Sequence, residues 1–133
     1  MSVSARVRAT VTRRAARDLV FCGLGLTAIT HAAVLVKALP HTAVSGGRVQ
    51  DQLHGKVIAA ASLASLLPAA LLTAHVTHGP GQPSRRATRA MAVAAAVCAA
   101  SVPVQLVGTK FERTVMAPTA AALALGYSRL AVR

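Results

Sequence analysis

The sequence predicts an all-α fold: a polytopic membrane protein in which four transmembrane helices form one bundle from two helical hairpins. Three observations lead there. The chain of 133 residues is 54% hydrophobic and only 14% charged, whereas a water-soluble domain carries roughly 25% charge. Apolar runs near 19–39, 57–77, 90–108 and 114–132 approach the ~20 residues that a helix needs to cross a ~30 Å hydrocarbon core. The segments between them are short, polar and marked by glycine, proline and basic residues. All four runs belong to a single membrane domain, 1–133, which includes a basic cytoplasmic N-terminal segment, 1–18.

The first run follows Arg6, Arg8, Arg13, Arg14 and Arg17. A basic start before an apolar stretch also describes a cleaved signal peptide, but this stretch is long enough to span, so it is expected to be retained. Leu19-Val-Phe-Cys22 is a weak echo of a lipoprotein site, without a small residue before Cys22 or an apolar region upstream. Asp18, beside Arg14 and Arg17, is expected to form a local ion pair.

A polar loop follows, with Ser45-Gly46-Gly47 as its turn signal. The second run contains Pro68, which would break a helix in water and reads as a kink in a membrane bundle. His78-Gly-Pro-Gly-Gln-Pro83 is the next loop, Lys110 to Arg113 the last turn, and the alanine-rich fourth run is the shortest. Thr12-Arg-Arg-Ala-Ala-Arg17 and Ser84-Arg-Arg-Ala-Thr-Arg89 each stand before an odd-numbered span and offer a hydroxyl as helix cap. Two stacked hairpins would explain the repeat; so would chance in an arginine-rich chain.

Basic residues near the span ends set orientation. With the N-terminus inside, ten lie on the cytoplasmic side: Arg6, Arg8, Arg13, Arg14, Arg17, Arg85, Arg86, Arg89, Arg129 and Arg133. Five lie outside: Lys37, Arg48, Lys56, Lys110 and Arg113. Both termini are therefore expected in the cytoplasm. The preference for Ala, Val and Arg over Ile and Lys points to a high-GC genome, hence a bacterial plasma membrane.

The net charge of +12 raises nucleic acid as a partner. The charges sit in short clusters between apolar runs, and two Phe and one Tyr offer little for base stacking, so lipid is the expected partner and nucleic acid is not. Cys22 and Cys98 lie in separate apolar runs without CxxC spacing, which excludes a disulfide framework and a zinc knuckle. The chain has no phosphate-binding glycine loop, HExxH motif or nucleophile elbow. None of these motifs assigns a cofactor, and the cofactor stays unknown from the sequence.

What remains is the placement of polar residues at helical spacing. Gly23, Thr27, Thr30, His31, Lys37 and His41 fall near one face of the first span. His54, Ser62, Ser65, Ala69 and Thr73 do so on the second. Ala94, Cys98, Ser101, Gln105 and Glu112 share a face on the third, and Thr119, Ala122, Gly126 and Arg129 on the fourth. Four such stripes imply one bundle interior. Membrane helices also pack through small residues whatever their function, and the same faces could join copies or partner helices into an oligomer.

His31 lies on the order of 12 Å below the outer end of its span. A charge at that depth costs roughly 2.5–3.5 kcal/mol on insertion scales, so His31 is expected to be neutral, turned inward and hydrogen-bonded, with Ser65 and Ser101 at similar depth. It is the candidate base, and Lys37, Ser65, Ser101 and Gln105 are candidate substrate-binding residues. Asp51 and Glu112, the only acids outside the cytoplasmic face, are the candidate proton carriers. The outer polar layer of Lys37, His41, Asp51, His54, Gln105, Lys110 and Glu112 has the donor types of a metal site. Its irregular spacing on basic loops reads instead as solvated loop residues, and no metal is expected. His75 lies too far from His31 in depth for bis-histidine haem ligation.

The layout resembles the small four-helix integral membrane family that includes anthrone oxygenase-like proteins. The likeness rests on a glycine-bearing first span ending in Ala38-Leu39-Pro40, on Gln50, Gln52 and His54 in the outer loop, and on Ser101-Val-Pro103-Val-Gln105. The family pattern has asparagine after the proline-bearing step, where this chain has Gln105, and more conspicuous aromatic positions. The resemblance implies a cavity for a lipophilic polycyclic or isoprenoid-like substrate.

Together these readings give an intramembrane pocket that binds or transforms a lipophilic small molecule, as an oxygenase- or cyclase-type enzyme would. The competing classes are a non-catalytic accessory or assembly subunit and a small transporter. No span carries an acidic residue at its middle, the usual mark of proton coupling.

Overall fold

In the computed structural model, which describes residues 12–44, 47–49, 51–79 and 82–132, the chain forms four long helices and no strand among those residues. Arg6, Arg8, Gln50, Arg133 and the turn residues Ser45-Gly46 and Pro80-Gly81 lie outside the described residues. Helix α1 is Arg13–Leu35, α2 is Gln52–His78 and α3 is Arg85–Leu106. Helix α4 runs over 110–130, with a widened π turn at Glu112–Met116 leading into α-helical Ala117–Leu130. Pro118, which has no N–H to bond the preceding turn, stands directly after that widening.

Each of the four long helices begins on a side chain that accepts a backbone N–H three residues ahead. Thr12 takes the N–H of Ala15 at 3.1 Å, Asp51 that of His54 at 2.8 Å, Ser84 that of Ala87 at 3.1 Å and Thr109 that of Glu112 at 3.2 Å. These caps, rather than the edges of the apolar runs, decide where the helices start. Helix α1 therefore opens at Arg13 and α3 at Arg85, with their arginine triplets inside the first turns. The two hydroxyl-arginine repeats are thus equivalent pieces of structure, each a cap plus a first turn. Both prolines within α2 and α3, Pro68 and Pro103, are exposed, and their helices continue through them.

The packing is that of two hairpins joined along one seam. Helix α1 packs on α2, α3 packs on α4, and the hairpins meet where α1 packs on α4; α2 and α3 hardly touch. The main core lies toward one end of the bundle, where Ala16, Val20, Met91 and Leu130 have no exposed surface. At that end the Arg13 guanidinium donates to the Val132 carbonyl at 3.0 Å, and Arg17 lies 3.4 Å from His78 while it grips Asp18 at 2.7 Å. A smaller cluster of Val34, Val44 and Ala59, with Leu39 and Phe111 against it, closes the other end.

Helices α1, α2 and α3 are each long and apolar enough to cross a membrane. Their outward faces carry large apolar side chains, such as Ile29 at 67%, Leu67 at 64% and Val97 at 64% exposure. Only 11% of the most apolar stretch of α2 is buried. A helix that is apolar all round and bare on most of its surface is not finished by its own bundle.

Candidate functional site

The weakly packed seam between α2 and α3 opens into a cavity of about 520 Å³ lined by all four helices. Helix α1 contributes Leu24, Thr27 and His31. Helix α2 contributes Ser62, Ser65, Leu66 and Ala69. From α3 come Ala94, Val97, Cys98, Ser101 and Gln105, and α4 adds Met116, Thr119, Ala120, Leu123 and Tyr127. Ser65 and Val97 are exposed, one on each side of the seam, and stand at its mouth. Most of the lining is apolar, as in pockets that take small organic ligands, which commonly measure roughly 300–1,000 Å³.

The polar groups inside follow one rule. Ser and Thr in a helix can turn their hydroxyl back onto a carbonyl of the preceding turn, and four cavity hydroxyls do so. Thr27 donates to the Gly23 carbonyl at 2.8 Å and Ser65 to Ser62 at 2.7 Å. Ser101 donates to Cys98 at 2.7 Å and Thr119 to Val115 at 2.6 Å. Because these protons are engaged, none of the four hydroxyls donates to His31. A hydrogen-bonded histidine is expected at this depth; instead His31 Nδ1 and Gln105 Oε1 are buried with no hydrogen-bond partner among the described residues. Such atoms are uncommon in folded proteins and call for a partner that completes them.

Of the residues singled out in the sequence, His31, Ser65, Ser101 and Gln105 come together around this cavity. Lys37, Asp51 and Glu112 do not line it. Lys37 is exposed beyond the end of α1 with φ of +63°, a left-handed conformation, while its N–H bonds the Val34 carbonyl. It borders a shallow notch with His41 and Lys56. Asp51 is the exposed cap of α2, beside Arg48 and His54 in a separate surface depression. Glu112 is buried, and its carboxylate accepts the Thr109 N–H at 2.9 Å while the Thr109 hydroxyl accepts the Glu112 N–H and donates to the Ala43 carbonyl at 2.6 Å. This reciprocal capping box ties α4 to the loop after α1. A Cβ on Gly108 would overlap the same carboxylate, so a larger residue there would displace it from the cap. The outer polar layer is thus dispersed, with Gln105 in the cavity, Lys37 and His41 at the notch, Asp51 and His54 at the depression and Glu112 in the capping box, and no group of three His, Cys, Asp or Glu side chains able to hold a metal forms among the described residues.

The stripe on α4 also divides. Thr119 faces the cavity, whereas Gly126 faces α1, where an added Cβ would lie 2.6 Å from Val20 Cγ2 and 2.9 Å from the Ala16 carbonyl. The cavity face of α4 is instead Thr119, Leu123 and Tyr127. Their four-residue spacing is present in the sequence, but two of the three are large and mostly apolar and fall outside a stripe of polar and small residues.

Fold and site together define an all-helical four-helix bundle with a largely apolar internal cavity, open on one side and holding two unpartnered polar atoms. No protein-family model, curated protein or solved structure matches the chain.

Proposed function

We propose that the protein crosses a bacterial plasma membrane four times with both termini in the cytoplasm, and that its cavity binds a lipophilic small molecule that enters sideways from the bilayer. The observation that carries this reading is the pairing of His31 Nδ1 and Gln105 Oε1, both without a partner, with a mostly apolar cavity of ligand size. Membrane insertion is supported by three helices of sufficient length and apolarity and by the bare surface of α2. The orientation is supported by the charge at the two ends. The end holding both arginine triplets and Arg129 carries seven described arginines and one acid, Asp18. The opposite end carries Lys37, Arg48, Lys56, Lys110 and Arg113 with Asp51 and Glu112.

In this reading the apolar walls hold the body of the ligand, and Gln105 and Ser101 orient its polar group. His31, neutral at that depth, serves as hydrogen-bond partner or base. Neither acid lines the cavity, so a proton taken up by His31 has no carboxylate beside it to receive it. That favours a binder, or an enzyme whose substrate supplies its own proton acceptor, over an acid–base pair. The resemblance to anthrone oxygenase-like proteins points to the same kind of ligand.

A second reading, an accessory subunit of a membrane complex, is favoured by the same bare surface of α2, which a partner helix could cover as well as lipid can. The two are separated by purifying the protein in mild detergent and identifying co-purifying lipophilic molecules by mass spectrometry, for the native chain and for His31→Ala. Loss of a bound molecule at unchanged protein abundance supports the pocket. Collapse of abundance, or no bound molecule in either protein, contradicts it and leaves the subunit reading.

A further inference from the structure

Most of the cavity's hydroxyls turn their protons away from it. Thr27, Ser65, Ser101 and Thr119 each donate their only hydroxyl proton to a carbonyl of their own helix, so toward the cavity each oxygen can only accept. Gln105 Oε1 adds another acceptor with nothing to accept. The donors are the single N–H of neutral His31, the Gln105 amide, the Ser62 hydroxyl, which makes no hydrogen bond among the described residues, the Tyr127 hydroxyl, which stands beside Thr73, and the weakly donating Cys98 thiol. A ligand whose polar end only accepts, such as an ether or ester, leaves Gln105 Oε1 without a donor, whereas one whose polar end donates completes it.

The geometry points to a lipophilic alcohol as the class of ligand. A hydroxyl both donates and accepts. It can therefore donate to Gln105 Oε1 or Ser101 while its oxygen takes the His31 N–H, or it can serve whichever state the unpartnered Nδ1 presents. The apolar remainder lies along Leu24, Leu66 and Leu123. The inference rests on the proposed reading of the cavity as a ligand site and adds to it the chemistry of the ligand's head.

The experiment uses the full chain in lipid nanodiscs, with tritiated farnesol as probe and farnesyl methyl ether as competitor; the two share one body and differ in the donated proton. Farnesol is expected to bind in a saturable way, with the ether weaker by roughly tenfold, about the worth of one buried hydrogen bond. In Gln105→Leu the gap between the two is expected to narrow to within about twofold, on the same hydrogen-bond reasoning. Equal affinity of alcohol and ether for the native chain overturns the donor requirement and leaves the lipophile cavity standing. A gap that persists undiminished in Gln105→Leu overturns the assignment of the head group to Gln105. Absence of saturable binding of either probe removes the cavity reading and this inference with it. The comparison on the native chain is independent of how well the variant folds.

Discussion

The seam between α1 and α4 and the seam between α2 and α3 draw on the same alanine-rich sequence and reach opposite results. Across the first, Gly126 lets the α4 backbone settle against Ala16 and Val20, both of which have no exposed surface. Across the second, the helices hardly touch, and the serines and alanines that face inward leave about 520 Å³ between them. Small residues allow either close approach or empty space. Which one results depends on whether the partner helix is also small at the crossing and held there from both ends. Helices α1 and α4 are held so, by Arg13 on the Val132 carbonyl and by Thr109 on the Ala43 carbonyl.

This contrast can be broken most severely at Gly126. Gly126→Val would drive a side chain into Val20 and the Ala16 carbonyl and is expected to cost about 3 kcal/mol, read as a fall in thermal stability by circular dichroism in detergent. Next comes the clamp on the same pair of helices. Thr109→Ala removes both the cap of α4 and the link to Ala43 and is expected to cost about 1–2 kcal/mol, measured in the same way. Lys37→Gly should act in the other direction. The left-handed backbone at Lys37 strains any residue with a Cβ, so glycine there should stabilise by about 1 kcal/mol. The smallest effect on stability is expected on the open seam: Ala94→Leu fills cavity space and should change stability by less than about 1 kcal/mol while abolishing ligand binding. If Ala94→Leu proves as damaging as Gly126→Val, the two seams are equally packed and the contrast is false.

Much of this architecture was legible in the chain. The four apolar runs placed four helices, and the Thr12 and Ser84 repeats anticipated two of the caps. The helix starts are less legible, because apolarity marks the middle of such a helix, while a cap can lie on the polar side of an arginine triplet. Thr109-Lys-Phe-Glu112 is the spacing of a capping box; read as such, it would have assigned Glu112 to the turn rather than to proton transfer. Helical spacing also brought His31, Ser65, Ser101 and Gln105 to a common interior. It could not show that the serine protons turn back onto their own helices, because that depends on side-chain rotamers, nor that α2 and α3 stay apart, because that depends on which pairs of helices pack.

A ligand that enters sideways requires the cavity to face lipid through the seam between α2 and α3. A spin label attached to Cys98 in a Cys22→Ser protein, reconstituted into lipid vesicles, reports this through its collisions with oxygen and with a water-soluble nickel chelate. Oxygen is expected to dominate at Cys98, as it should at a label on Leu67→Cys on the outward face of α2. Ready access of the nickel chelate to Cys98, matching a label on Arg48→Cys in the loop, would contradict it.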